Sequence, residues 1–226
     1  MGCTQIAGYD GYVFDRCGPL ETYHNGLCVA TLVQVSSAFA MDATEVTRSQ
    51  YDAWLETEPS LTRGDVCDWN GTYVPTYGWP PGAKGDHPVV GVDWCDALQY
   101  CYGVGKRLCG TSLTFETPQE SEWYKACVES GASAFAGACN TNAGATMPVG
   151  SNDGCQAEDG PYGGIFDLVG NVWEWDLSCQ TGLKSQAECH VRGGHSSSGA
   201  VDCDTTLRLK RDQKNDYVGF RCCWSP

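Results

Sequence analysis

Ile165-Phe-Asp167-Leu-Val-Gly170-Asn-Val172-Trp-Glu174-Trp175 interleaves small, acidic and amide residues with aromatics. Two carboxylates seven residues apart, Asp167 and Glu174, stand on either side of Gly170. Ca²⁺ takes about six to eight oxygens at ~2.3–2.6 Å, mixing carboxylates with backbone carbonyls, and a glycine lets the backbone bend to offer them. The tryptophans would clamp such a loop into a core. A tight turn between two strands with buried aromatics accounts for the same residues, so at this point both readings stand.

The chain around this stretch has 226 residues, enough for one large domain with a sizeable core. No apolar run approaches the ~20 residues of a membrane-spanning helix. The start, Met1-Gly2-Cys3, has neither a basic segment nor an apolar stretch behind it. An export signal would have been removed or would lie ahead of it. Fifteen cysteines, with no CxxC pair of the zinc-site kind, read as a disulfide framework. That places the protein in an oxidising compartment: extracellular, periplasmic or at the cell surface. The odd count leaves at least one cysteine free, modified or available for self-association with another chain, and Cys3 is the simplest candidate. The formal charge of −14, from 28 acidic and 14 basic residues, argues against nucleic acid and anionic membrane as partners.

Along the chain, residues 1–29 read as an irregular, cysteine-containing cap ahead of a domain over 30–226. Residues 28–36 alternate as a strand. Thr47 caps a helix through Leu55 with Tyr51, Trp54 and Leu55 inward, and a long loop over 57–88 carries Cys67 as a possible pin. A second helix is predicted over 93–104, ended by Gly105. A third opens at the capping box Thr117-Pro-Gln-Glu120, with proline at the first helical position, and runs to Val128. Short strands follow at 207–209 and 218–221. The class is α+β with little regular secondary structure.

Asp42-Ala-Thr-Glu-Val-Thr47, His87-Pro-Val-Val-Gly-Val-Asp-Trp94, Gly105-Lys-Arg-Leu108, Thr117-Pro-Gln-Glu-Ser-Glu-Trp123, Val149-Gly-Ser151, Val169-Gly-Asn-Val-Trp-Glu-Trp175, Val191-Arg-Gly-Gly194 and Gly219-Phe-Arg-Cys222 occur in this order. Together they resemble the formylglycine-generating enzyme (sulfatase-modifying factor) family. The resemblance implies a C-type-lectin-like domain and a calcium held by the side chains of Asp167 and Glu174 and the carbonyls of Gly170 and Val172. A second family calcium would use Asn140, but the acidic element that completes it is missing. The resemblance also implies a Cys101–Cys222 disulfide. Local spacing suggests Cys139 with Cys155 and Cys179 with Cys189. Cys222 and Cys223 are neighbours and should tie to different partners.

Active members of the family oxidise a cysteine to formylglycine using O₂ and Cu(I) held by two thiolates. By resemblance those positions fall on Ser198 and Cys203. A hydroxyl is too hard to replace a thiolate on Cu(I), so copper is not expected here and Cys203 is better read as half of a disulfide. The expected function is a non-catalytic binding module that recognises a protein or glycan through the surface over 195–217, with His195, Ser196, Ser197, Ser198, Asp202 and Asp204 as candidate ligand residues. A retroelement-diversified variable protein is one form of that reading. The alternatives are a divergent copper oxidase using Cys203 and a structural subunit of an extracellular fibre.

Overall fold

The computed structural model describes residues 17–61, 66–111, 115–157 and 160–226. Cys3 and most of the expected N-terminal cap lie outside them. Thr47 ends an extended segment, and its hydroxyl accepts the Gln50 N–H while the Gln50 side chain accepts the Thr47 N–H. This reciprocal box starts α1 (Arg48–Leu55). Asp93 and Asp96 make the same exchange at the start of α2 (Trp94–Gly103), which Gly105 closes in the left-handed conformation at φ +75°.

The third helix departs from the sequence expectation. Pro118–Glu120 forms a single 3₁₀ turn without a side-chain cap from Thr117, and α3 (Glu122–Glu129) begins behind Ser121. The cause is tertiary. Ser121 is extended, donates its hydroxyl to Asp176 at 2.6 Å and accepts the Tyr124 N–H, so the cap moves four residues on. A short α4 (Ala132–Phe135) follows.

The described part of the cap expected to be irregular, residues 17–29, holds β1 (Glu21–His24) and most of β2 (Leu27–Ala30), paired as a hairpin. Asn25 and Gly26 both take positive φ at its turn, the requirement of a tight two-residue connection. The strand expected over 28–36 is broken at Thr31, whose N–H goes to the Leu20 carbonyl. Beyond the break, β3 (Leu32–Gln34) joins a different sheet. That sheet also holds β4 (Ala40–Asp42) and β5 (Arg107–Leu108). The other main sheet is formed by β6 (Trp173–Cys179), β7 (Glu188–Arg192), β8 (Thr206–Lys210) and β9 (Val218–Gly219), in the order β8-β7-β6-β9 with β6 and β9 parallel. β10 (Cys222–Trp224) completes the first sheet between β4 and β5.

Successive side chains of a strand point to opposite faces. Cys222 therefore reaches Cys101 on α2 in one core cluster, and Cys223 reaches Cys109 in the other. The first cluster is aromatic: Tyr51 stacks on Tyr100 at 5.5 Å and Phe220 meets both rings edge-on. The cysteines pair as 17–28, 67–95, 101–222, 109–223, 127–203, 139–155 and 179–189, all at bonding distance. Such bridges contribute roughly 2–4 kcal/mol each by limiting the unfolded chain, an aid to a fold with short strands and long loops. Cys67 does pin the long loop, to Cys95 on α2. Among the described residues no helix is long and apolar enough to cross a membrane.

Candidate functional site

The stretch that opened the sequence folds as a loop leading into β6. Asp167, Gly170 and Asn171 all take positive φ, at +57°, +88° and +56°. Gly170 is required sterically as well, because a Cβ there would stand 2.5 Å from the Asn140 carbonyl oxygen. Asn171 is buried and makes the loop's main cross-ties. Its side-chain amide donates to Glu45 at 2.9 Å, and its side-chain oxygen accepts from Asn140 and from the Met147 N–H. Asp167 accepts the Gly150 N–H at 2.8 Å.

Glu174 points the other way. Its two oxygens accept from the Arg221 guanidinium at 2.7 and 2.8 Å, and one also accepts the Trp123 indole N–H at 2.9 Å. Arg221 is fully buried and additionally donates to the carbonyls of Asp42 and Phe166. Two residues further along β6, Asp176 binds the Arg192 guanidinium at 2.6 Å and fixes the Arg-Gly-Gly turn at the end of β7.

Three carboxylates, Glu45, Asp167 and Glu174, thus share a buried region with one guanidinium. Burial pushes Asp167 up to about 6, against the Gly150 hydrogen bond and the Arg221 charge. Burial, then the Asp167 charge, pushes Glu45 well above the usual carboxylate range. One Glu45 carboxylate oxygen and the Asn140 side-chain oxygen are buried without a hydrogen-bond partner. Excess buried negative charge with unpartnered oxygens is a donor set suited to a hard cation. Asp167 accepts the Gly150 N–H through one oxygen, whereas both oxygens of Glu174 are already engaged. Glu45 was passed over in the sequence, where it sits inside the quoted Asp42–Thr47 segment with no periodicity or spacing to single it out. Among the described residues, the only acid, cysteine or histidine trio with ligand atoms within 4.8 Å of one another is Cys17, Glu21 and Cys28, and its two cysteines are bonded to each other. A calcium at the loop would therefore depend on backbone carbonyls as well as carboxylates.

The six candidate ligand residues separate into two groups. His195, Ser196 and Ser197 line a cavity of about 220 Å³ together with Arg48, Thr146, Asn171, Asp216 and Tyr217. The His195 ring stacks on Tyr217 at 5.1 Å, and burial lowers the imidazole's pKa against the raising effect of Asp216. Ser198 is used in a local turn, where its hydroxyl accepts the His195 N–H at 2.8 Å. Asp202 accepts from the Thr205 hydroxyl, and Asp204 is exposed to solvent. Cys203 is bonded to Cys127 on α3 and is buried.

The family model described as "Sulfatase-modifying factor enzyme 1-like domain" matches residues 18–226. The chain is 31% identical over 166 residues to "Inactive C-alpha-formylglycine-generating enzyme 2" of Bos taurus, covering 62% of this chain and 50% of that protein. It therefore spans about half the length of the curated relatives it matches. Among solved structures, CarF superposes with a TM-score of 0.57 at 20% identity, covering 83% of this chain and 86% of that one. Treponema denticola variable protein 1 superposes with a TM-score of 0.50 at 17% identity, covering 88% and 87%. The shared feature is the fold: mixed α and β, few helices, of the C-type-lectin-like kind.

Proposed function

The chain belongs to the sulfatase-modifying factor enzyme 1-like family, and on that premise we propose that it is a non-catalytic binding module of an extracellular, periplasmic or cell-surface protein. The observation that carries this reading is the Cys127–Cys203 bond. Cu(I) in this family needs two thiolates. Here Ser198 stands at one position and its hydroxyl is turned onto the His195 N–H, while at the other the sulfur is spent in a disulfide. The name of the bovine relative states that it, too, is inactive. Seven disulfides among the described residues fit an oxidising compartment.

The ligand is a protein or glycan bound at the cavity beside His195, Ser196 and Ser197, on loops held by the two sheets. The role proposed for calcium is structural. Asp167, the carbonyls of Gly170 and Val172, and Glu174 or the nearer-to-free Glu45 would hold it, and its charge would offset the buried acids. Cu(I) titration with oxygen uptake on a cysteine-containing peptide tests the absence of catalysis. No stoichiometric copper and no oxygen consumption are expected. Tight copper binding with turnover would overturn the proposal.

A further inference from the structure

Arg48 forms part of the cavity wall at the first turn of α1 and is only 9% exposed. Arg107, Arg192 and Arg221 each face a carboxylate, but among the described residues no acid forms an ion pair with Arg48. Its recorded hydrogen bonds go to two backbone carbonyls, from Nε to Pro88 and from Nη1 to Gly78, both at 3.2 Å. They use two of the five N–H donors of a guanidinium. The group is held flat against Gly78, where φ is +63° and an added Cβ would stand 2.6 Å from Nη1. A buried cation without a counter-ion is costly, and a planar fork fixed in this way is pre-organised for a carboxylate or sulfate.

The rest of the wall is of a different kind. Tyr217 and His195 present stacked rings, burial lowers the imidazole's pKa and favours its uncharged form, and Ser197 and Asp216 are exposed at the rim. Asp216 would repel a bare anion but accepts hydrogen bonds from hydroxyls. A volume of about 220 Å³ is below the ~300–1,000 Å³ of sites for drug-sized ligands and suits a single ring.

We infer that this cavity takes one acidic sugar residue of a glycan, its carboxylate or sulfate ester on Arg48, its hydroxyls toward Asp216 and its ring against Tyr217 and His195. The inference rests on the binding-module reading and narrows its ligand class.

Calorimetry and ligand-observed NMR with methyl glucuronide, glucose 6-sulfate and neutral methyl glucoside test it. At least one acidic sugar should bind about tenfold or more tightly than the neutral one, as expected for a charge-assisted contact, and should weaken with added salt. The same sugar should lose about tenfold or more in affinity in Arg48→Gln and in Ser197→Trp, the second of which fills the mouth from an exposed position and covers the case in which the first fails to fold. Whichever acidic sugar binds identifies the anion as carboxylate or sulfate. Equal binding of neutral and acidic sugars, unchanged binding in both variants, or no binding of any of the three would overturn the inference. The copper and oxygen assays decide the non-catalytic reading separately, so the two can fail independently.

Discussion

Cys203 is joined to Cys127 across 76 residues, tying the segment after the Arg-Gly-Gly turn to α3. A non-reducing peptide map with prior alkylation should recover the two in one cross-linked pair. Replacing both by serine should lower stability by roughly 2–4 kcal/mol in a denaturant melt. An alkylated, free Cys203 would reopen the copper reading.

The Arg221–Glu174 pair is buried at both ends, and Trp123 completes it. Removing one partner leaves the other charge uncompensated. Arg221→Met or Glu174→Gln should each cost about 3–5 kcal/mol. The double variant should recover part of the loss, measured as a coupling energy in a double-mutant cycle.

Gly170→Ala puts a methyl group against the Asn140 carbonyl at a positive φ. The two effects act together, and a loss of about 1–3 kcal/mol is expected from strain alone. Gly182→Ala tests the conformational part by itself, since φ there is +83° but nothing lies within 4 Å of the new Cβ. Its smaller cost should appear as a smaller fall in melting temperature.

Burial and the neighbouring Asp96 push Asp93 up to about 7, against the pull of Lys214. Its folded pKa lies above its unfolded one, so the folded state holds the proton more tightly. The stabilising contribution is therefore complete below about 4 and is lost as pH rises through about 7. Urea midpoints taken between these limits should fall with rising pH. Asp93→Asn keeps a good helix cap and should make the slope shallower; an unchanged slope would assign it to the other buried acids.

Calcium bound to the 165–175 loop would stabilise the native state by mass action. Chelation should lower the melting temperature, and added calcium should restore it. Identical melting curves with and without chelator, together with no calcium by elemental analysis, would remove the metal from the account.

The first two helices could be read from the chain because their signals are local. Thr47 and Asp93 each cap within three residues, and the apolar positions follow at helical spacing. The third was displaced because Ser121 answers to Asp176, which is 55 residues away. The hairpin before Ala30 was missed although Asn25-Gly26 is a strong turn signal, since the flanking residues lack a clear alternation of polar and apolar. The loop around Asp167 stood out by composition, but the commitment of Glu174 to Arg221 and the proximity of Glu45 arise from contacts spanning 47 and 126 residues. Local patterns do not carry such information. The same holds for Arg48, whose lack of an ion-pair partner among the described residues is a property of the folded wall.

The bond between Cys109 and Cys223 encloses half of the molecule in a covalent ring. A protease that cuts the backbone once anywhere inside that ring releases nothing, because both new ends stay on the same molecule. Nicks in the loops between Cys109 and Cys223 would show on a reducing gel and vanish on a non-reducing one. A protein placed outside the cell, as proposed, could then be cleaved and still keep the proposed binding surface in one piece.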